Sequence, residues 1–299
     1  MKTRSGTLIS SVSKSPKGIT KTPKTRAPRV QTPRKHKLTL EELYRDPVSP
    51  FSLSAAYKHL KSIDSRFEKL IEKYPCTVFE DLTPVQNPFK SLIDSVVGQQ
   101  VSGAAAKAIL RRFVGLFSNP NQDDDFFPSP IDVIKTDLDT LRSAGLSAQK
   151  ASYVTAIANA FASKTITPQM LYESSTANVV QLLTNIKGIG IWSAEMFLVF
   201  ALKSPDILST GDLAVQRGMS KWAGTFVDTK VKGKWKYMSE EDMLKTAEPY
   251  RPYRSLFMWY MWRYDGTDLF VENSKEKEQE SIKEELQEEE EKEQIKNQD

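Results

Sequence analysis

One carboxylate at the start of a predicted helix is the residue of this chain best placed to do chemistry. Asp212 follows Gly211 and precedes the helical pattern Leu213-Ala214-Val215-Gln216-Arg217-Gly218. A helix N-terminus stabilises the ionised form of such an aspartate. The ionised carboxylate can then stabilise a developing positive charge or deprotonate water. Simple capping of the helix also explains an aspartate here, so the choice depends on the residues around it.

A glycine-containing turn, Ile186-Lys187-Gly188-Ile189-Gly190, ends 22 residues before Asp212. Apolar residues recur at helical spacing on both sides of it, at Val179, Val180, Leu182, Leu183 and Ile186 and at Ala194, Phe197, Leu198, Ala201 and Leu202. Glycine permits positive φ and lacks a Cβ, so backbone N–H groups of the second helix can approach a phosphate closely. An ordinary helical hairpin also uses glycine as a C-cap, and for the isolated turn that explanation is favoured.

The remaining periodicity predicts an all-α fold from Leu38 to about Tyr264. One helix is predicted over Leu53–Tyr74, and others begin after Asn87, Ser102 and Ser147, which are capping residues. Residues 219–249 are predicted to be a linker-like insertion. Positioning of Asp212 and the hairpin would therefore depend on packed helices alone.

The composition excludes several kinds of site. Cys76 is the only cysteine, which excludes a disulfide framework and cysteine-ligated zinc or iron–sulfur sites. His36 and His59 are the only histidines, which argues against a His-based triad or metal centre. No run of 18 apolar residues occurs, so we expect a protein that does not cross a membrane.

Charge divides the chain into three predicted parts. Residues 1–37 contain 11 Lys and Arg and no acid, and residues 272–299 contain 12 acids and 5 Lys. Residues 38–271 are balanced, with 26 basic and 26 acidic side chains. We therefore predict a disordered basic tail, one folded domain over 38–271 and a solvated or disordered acidic tail. Binding of an anionic partner must come from local patches of the domain or from the basic tail.

The basic tail also bears on localisation. Proline-containing basic units recur in it, as Ser15-Pro16-Lys17, Thr22-Pro23-Lys24 and Thr32-Pro33-Arg34, and the cluster Arg34-Lys35-His36-Lys37 follows. This pattern favours a nuclear import signal. The lack of acids leaves a mitochondrial presequence as an alternative, although so many prolines break the amphipathic helix that a presequence needs. A merely solvated tail is the simplest alternative.

Taken as a set, the hairpin, Trp192, Asp212 and the spacing of Asp212 to Arg217 resemble the helix-hairpin-helix superfamily of base-excision repair glycosylases. Within it, the chain is most similar to the fungal 3-methyladenine DNA glycosylases. Two further segments carry this similarity, Val97-Gly98-Gln99-Gln100-Val101-Ser102-Gly103-Ala104-Ala105-Ala106-Lys107 and Tyr250-Arg251-Pro252-Tyr253-Arg254-Ser255 leading to Trp262. The resemblance spans about residues 55–265 and implies a two-lobed, all-α helix-hairpin-helix glycosylase fold.

The resemblance also limits the branches of the superfamily to which the chain can belong. Its iron–sulfur members carry a cysteine cluster after the catalytic aspartate region, and this chain has none there. That difference argues against the branches that remove mismatched adenine or oxidised pyrimidines. Bacterial relatives carry an extra N-terminal domain that contains a sheet, but no alternating strand pattern precedes residue 85 here.

The resemblance implies a role for each candidate residue. Asp212 would be catalytic, stabilising positive charge on the sugar while the glycosidic bond breaks and orienting or deprotonating water. Trp192 occupies the position where bifunctional members place a Schiff-base lysine, which implies a monofunctional glycosylase. Trp192 and Trp262 would line the base pocket, where an electron-rich ring favours a cationic alkylated purine. Met196 stands where a bacterial relative has tyrosine, which leaves the range of bases open.

DNA contacts are expected from two segments. The matching family segment inserts into the minor groove when a nucleotide is extruded, so Gln99, Gln100, Val101 and Ser102 are predicted to bind DNA, with Gln100 as the wedge. Capping explains Ser102 equally well. Backbone amides at Gly188 and Gly190 are predicted to contact phosphate, with Lys187 as an electrostatic helper. Lys150, at the start of a helix, could also reach a phosphate.

The resemblance implies a monofunctional alkylpurine DNA glycosylase that acts on double-stranded DNA containing alkylated purines. We expect a monomer without a cofactor or metal site, apart from a possible monovalent cation at the hairpin carbonyls, as in relatives. A non-catalytic protein that binds damaged or abasic DNA is the alternative, although such a binder would not need Asp212. A helical adaptor that uses its charged tails ranks behind both.

Overall fold

The computed structural model describes residues 38–46, 51–118, 126–225 and 237–265. Within these residues every regular element is helical, so the all-α prediction is confirmed. The helices are α1 Leu40–Leu43, α2 Leu53–Ile63, α3 Arg66–Lys73, α4 Pro88–Gly98, α5 Gly103–Gly115, α6 Pro130–Lys135, α7 Leu138–Ser143, α8 Ala148–Ala162, α9 Pro168–Glu173, α10 Thr176–Thr184, α11 Ile191–Phe200, α12 Leu213–Trp222, α13 Glu240–Ala247 and α14 Arg254–Asp265, with a 3-10 turn at Glu248–Tyr250 before α14.

The predicted basic and acidic tails and the domain boundary at residue 271 lie outside the described residues. In the part of the chain that the structure describes, no helix is both long enough and apolar enough to span a bilayer.

Capping side chains start the helices where the sequence predicts. Asn87 accepts a hydrogen bond from the N–H of Lys90, with Pro88 in the first turn of α4. The Ser102 hydroxyl accepts from Ala105 N–H at the start of α5, and Ser147 likewise caps α8. Each side chain partners an N–H that the helix itself leaves unbonded. The segment at residues 98–102 that is predicted to face DNA therefore leads into a helix whose start is capped.

Two predicted boundaries were wrong. Residues 53–74 form two helices, because Asp64 adopts an extended backbone after α2 and its carboxylate accepts the N–H of Arg66 at 3.0 Å. Aspartate competes with helical hydrogen bonding in this way. The linker-like insertion at 219–249 is partly helical, since α12 continues to Trp222 and α13 lies within it. The Trp222 ring is buried and lies 3.8 Å from the Arg66 guanidinium carbon, so this end of α12 belongs to the core.

The helices pack in two groups, as the two-lobed prediction requires. Helix α4 packs on α5 and α8, and α8 packs on α6 and α7. The second group includes α2, α3, α12 and α14, with the 3-10 turn. Helix α11 follows the hairpin and contacts α4, while Phe200 near its end stacks on Trp262 of α14. The hairpin helix therefore lies between the two groups.

Helices α12 and α14 approach each other unusually closely. A Cβ built on Gly218 of α12 would lie 2.1 Å from the backbone oxygen of Met261 in α14, a distance that only glycine avoids. Arg217, one position earlier, donates to the Asp265 carboxylate at the end of α14. This packing fixes the start of α12, which carries Asp212, relative to α14, which carries Trp262.

Candidate active site

Asp212 is the N-cap of α12, as predicted. Its Oδ1 accepts hydrogen bonds from the N–H groups of Ala214 and Val215, both at 2.9 Å. The residue is 7 % exposed. A buried carboxylate must be hydrogen-bonded to remain ionised at low cost, and the first turn of α12 supplies two of the donors.

Two indoles complete the hydrogen bonding of this carboxylate. Trp192 Nε1 donates to Asp212 Oδ2 at 2.7 Å, and Trp262 Nε1 donates to Oδ1 at 3.2 Å. Indole N–H is only a donor, so both bonds require acceptor oxygens, which an ionised carboxylate supplies. Residues 20 and 50 positions away from Asp212 are thus brought onto one functional group.

The two tryptophans differ in their exposure to solvent. Trp192, in the first turn of α11, is 42 % exposed, so part of its ring remains accessible beside the carboxylate. Trp262 is 2 % exposed and stacks on Phe200 with 5.9 Å between ring centroids. Met196 lies one helical turn after Trp192 and is buried. A planar ligand can therefore reach Trp192 directly, whereas Trp262 and Met196 form the packed interior behind it.

The last residue of α4 and the four residues before α5 are here called the wedge loop (Gly98, Gln99, Gln100, Val101 and Ser102), and they lie beside this site. Gln99 points inward, and its Nε2 donates to Ser193 Oγ of α11 at 3.3 Å. Gln100 is exposed and has a φ of 57°, a left-handed conformation that is uncommon for residues other than glycine. Val101 is 39 % exposed. The side chains that face solvent are thus those of Gln100 and Val101, while Ser102 caps α5.

The backbone of the hairpin turn adopts a conformation that requires glycine. Gly188 has a φ of 99°, and a Cβ there would lie 2.2 Å from the Tyr153 ring of α8. Gly190 is the N-cap of α11, where it provides no side-chain cap to the first-turn N–H groups. Lys187 is exposed, and its Nζ lies 2.9 Å from Ser152 Oγ. The start of α11 is thereby open to an anion.

Lys150 forms hydrogen bonds within the protein. Its Nζ donates to the backbone oxygens of Val97 at 2.7 Å and Gln99 at 2.6 Å. Burial of this side chain lowers the pKa of the ammonium group. Lys150 is thereby attached to the end of α4 and to Gln99 of the wedge loop.

The Pro-x-Arg-Ser segment, residues 252–255, forms hydrogen bonds that stabilise the loop leading into the site. Arg254 is buried, and its Nε donates to Asp206 Oδ1 at 2.7 Å. Ser255 donates to the backbone oxygen of Ser204 and accepts from the N–H of Ile207. These bonds attach the loop between α11 and α12 to the start of α14, and that loop leads directly into Asp212.

A buried acid that the sequence analysis missed lies under the same loop. Tyr44 donates to Glu195 Oε1 at 2.7 Å, and Ser209 donates to Glu195 Oε2 at 2.5 Å. The Ser209 backbone oxygen in turn accepts the N–H of Asp212 at 3.2 Å. The sequence contained a clue, because Glu195 is the only charged residue in α11, which is mostly apolar, and a buried charge needs partners. Its partners, however, come from distant parts of the chain.

The charge of Glu195 is unfavourable in this position. Burial is the main cause that raises the pKa of Glu195 to about 7. The hydrogen bonds from Ser209 and Tyr44 oppose this rise, and the nearby carboxylates of Asp212 and Glu240 contribute to it. The acid therefore titrates near neutral pH, although the ordinary pKa of glutamate is about 4.3.

Replacement of Glu195 by Gln is expected to remove a pH dependence of stability. Between about pH 4.5 and 7 the folded wild type keeps the Glu195 proton while the unfolded chain loses it, so the free energy of unfolding falls as pH rises through this window. The total loss is about 3 kcal/mol at most. Urea unfolding at several pH values should show a flatter profile for Glu195→Gln. The exposed Glu68→Gln on α3 is the control, and parallel profiles for Glu195→Gln and wild type would contradict the assignment.

Within residues 38–46, 51–118, 126–225 and 237–265, no group of three or more His, Cys, Asp and Glu side chains could hold a metal ion. The predicted monovalent cation would use hairpin carbonyls instead. One of them, Ile186 O, accepts the N–H of Ile189 at 3.1 Å, and its second lone pair can still face an ion.

Comparison with known proteins agrees with this geometry. Residues 93–240 match the family model described as HhH-GPD superfamily base excision DNA repair protein. Over 210 residues the chain is 30 % identical to the alkylbase DNA glycosidase-like protein mag2 of Schizosaccharomyces pombe, covering 70 % of this chain and 92 % of the relative. It is 29 % identical to a DNA-3-methyladenine glycosylase of Saccharomyces cerevisiae, in a match that covers 71 % of this chain and 80 % of the relative.

A solved structure extends the agreement to three dimensions. The 3-methyladenine DNA glycosylase Mag1 of Schizosaccharomyces pombe, in complex with abasic DNA, superimposes with a TM-score of 0.56 at 28 % identity, covering 73 % of this chain and all of Mag1. The matched family region contains the wedge loop, the hairpin and Asp212. The chain therefore belongs to the HhH-GPD superfamily of base-excision DNA repair proteins and is similar to the fungal 3-methyladenine DNA glycosylases within it.

Proposed function

We propose that this protein is a monofunctional alkylpurine DNA glycosylase. It extrudes a damaged purine nucleotide from duplex DNA and hydrolyses the N-glycosidic bond, which leaves an abasic site and starts base-excision repair. The observation that carries this function is the Asp212 carboxylate, which is held by the first turn of α12 and by the indoles of Trp192 and Trp262.

The geometry suits hydrolysis through a sugar cation. As the bond between C1′ and the base nitrogen breaks, its electron pair leaves with the base and positive charge develops on the sugar. A fixed carboxylate in a site of low dielectric stabilises that charge strongly. Water then attacks C1′ and transfers its proton to the carboxylate or to solvent. Asp212 needs no reorganisation for this role, because its four hydrogen bonds already fix it.

The tryptophan that occupies the position of the Schiff-base lysine supports hydrolysis without strand cleavage. A lyase reaction needs an amine that attacks C1′ and forms a Schiff base. Trp192 occupies the corresponding position and is bonded to Asp212, and Lys187 in the turn is bonded to Ser152. The expected product is therefore an intact strand with an abasic site.

Selection of the base is proposed to depend on charge. An alkylated purine such as 3-methyladenine or 7-methylguanine carries a positive charge and a weakened glycosidic bond. The accessible face of Trp192 favours such a cation by about 0.5–2 kcal/mol. The relatives whose names include 3-methyladenine support this substrate class.

The proposed DNA-binding surface combines the wedge loop and the start of α11. Gln99 joins the two through Ser193, so Gln100 and the N–H groups that follow Gly190 can act on one duplex. Gln100 would fill the space left by the extruded nucleotide, and phosphate would bind at the N-terminus of α11. A monomeric state, nuclear localisation and a cation at the hairpin carbonyls complete the proposal.

Incubation with methylated duplex DNA tests the function. Chromatography of the released bases should show alkylated purines, and the strand should break only after alkali. Borohydride should trap no protein–DNA adduct. Tight binding of abasic DNA without any base release would instead indicate a damage-binding protein of the same fold.

A further inference from the structure

Lys150 connects two segments that are far apart in sequence. It lies in the first turn of α8, yet its ammonium donates to two backbone oxygens at the end of α4, those of Val97 and Gln99, at 2.7 and 2.6 Å. The last carbonyl groups of a helix have no partner within it. A cation there satisfies these groups and interacts favourably with the helix dipole. Lys150 therefore caps α4 from a neighbouring helix.

The residue that follows these carbonyls is the exposed Gln100. Its φ of 57° is unfavourable for a side chain with a Cβ, so the surrounding structure must hold it in place. Gln99 immediately before it has its backbone oxygen bonded to Lys150 and its side chain bonded to Ser193. These contacts fix Gln99 in the wedge loop, while the side chain of Gln100 remains exposed to solvent.

The same part of α8 also holds the hairpin. Ser152 is bonded to Lys187, and the Tyr153 ring lies directly against Gly188, where a Cβ would come within 2.2 Å. Successive residues of α8 thus contact both segments proposed to bind DNA. A rigid helix between them fixes the distance from the phosphate contact to the side chain that replaces the extruded nucleotide.

We propose that Lys150 is a positioning residue for recognition of the lesion, which holds the wedge loop at a fixed place relative to the hairpin. It acts through Gln99 and Gln100 and does not itself contact DNA. This inference rests on the proposed glycosylase function. It differs from the usual role of a lysine on a DNA-binding face, which is to neutralise a phosphate.

Salt dependence separates the two roles. A lysine that neutralises one phosphate contributes about 0.9 to the slope of log K against log salt concentration. A positioning lysine contributes nothing to that slope, but its loss weakens the preference for a duplex in which a nucleotide is already displaced. The probes are two duplexes of the same sequence, one undamaged and one with a stable abasic analogue.

For Lys150→Met we expect the same slope of log K against log salt concentration as for wild type. The preference for the abasic duplex should be lower by about tenfold, because two charge-assisted hydrogen bonds are lost. Lys187→Met, on the same face, is the matched comparison. It should lower the slope and keep the preference. Lys150→Arg, which retains the cation, should restore most of the preference. If the Met variant does not fold, as judged by circular dichroism, Lys150→Gln replaces it.

Two outcomes would overturn the proposal. A lower slope with unchanged preference in Lys150→Met would make Lys150 a phosphate contact, and a variant indistinguishable from wild type would give it no role. Failure of the glycosylase function is recognised separately, because wild type would then release no base from methylated DNA whatever the binding results.

Discussion

Replacement of Asp212 by Asn is expected to lower single-turnover base release by about 10²–10⁴-fold. Asparagine lacks the negative charge that stabilises the sugar cation and cannot deprotonate water. It still accepts the N–H groups of Ala214 and Val215, since asparagine caps helices as well as aspartate does. The amide nitrogen of asparagine cannot accept the indole N–H of Trp192, so the free energy of unfolding is expected to fall by about 1–3 kcal/mol. The affinity for abasic duplex should remain close to that of wild type.

A second capping aspartate provides the matched control. Asp137 caps α7 by accepting the N–H of Thr140 at 2.8 Å, at an exposed position. Asp137→Asn makes the same chemical change at a helix start without a catalytic role and should release bases at the wild-type rate. Wild-type release by Asp212→Asn would remove Asp212 from the mechanism.

Replacement of Gly218 by Ala is expected to cause a large loss of both stability and activity. The added Cβ would lie 2.1 Å from Met261 O, and both partners of this contact are helical backbone that cannot rotate away. Overpacking of this kind costs about 1–3 kcal/mol or more, which corresponds to a fall of about 3–10 °C in melting temperature for a domain of this size. Activity falls as well, because separating α12 from α14 moves Asp212 away from Trp262.

Gly115 is the control for this substitution. It is the last residue of α5, and a Cβ built on it meets nothing within 4 Å. Gly115→Ala should therefore be neutral or slightly stabilising. Thermal melting followed by circular dichroism measures both variants. If Gly218→Ala has the melting temperature of wild type, the two helices tolerate a wider spacing.

The sequence was sufficient to predict features that depend on local chemistry. Capping by Asn87, Ser102, Ser147 and Asp212 involves residues within three positions of the cap, so each helix start could be located. The split between α2 and α3 was missed because apolar periodicity continues through Asp64. Its carboxylate breaks the helix through a local hydrogen bond that the periodicity of the flanking residues does not reveal.

Contacts between distant segments could not be predicted in this way. Tyr44 and Glu195 are 151 residues apart, and Lys150 is 51 positions from Gln99. Neither pair shares a periodic pattern or a turn, and only the packing of whole helices brings them together. Trp192 and Asp212 were associated through family resemblance, but the hydrogen bond between them emerges only from the structure.

The unequal exposure of the tryptophans has an optical consequence. Among the tryptophans that the structure describes, Trp222, Trp259 and Trp262 are at most 4 % exposed, whereas Trp192 is 42 % exposed and touches the carboxylate. A water-soluble quencher such as iodide would reach the Trp192 indole far more readily than the other three. Intrinsic fluorescence therefore contains a component that originates at the site itself and can follow its occupation by a nucleotide without any attached dye.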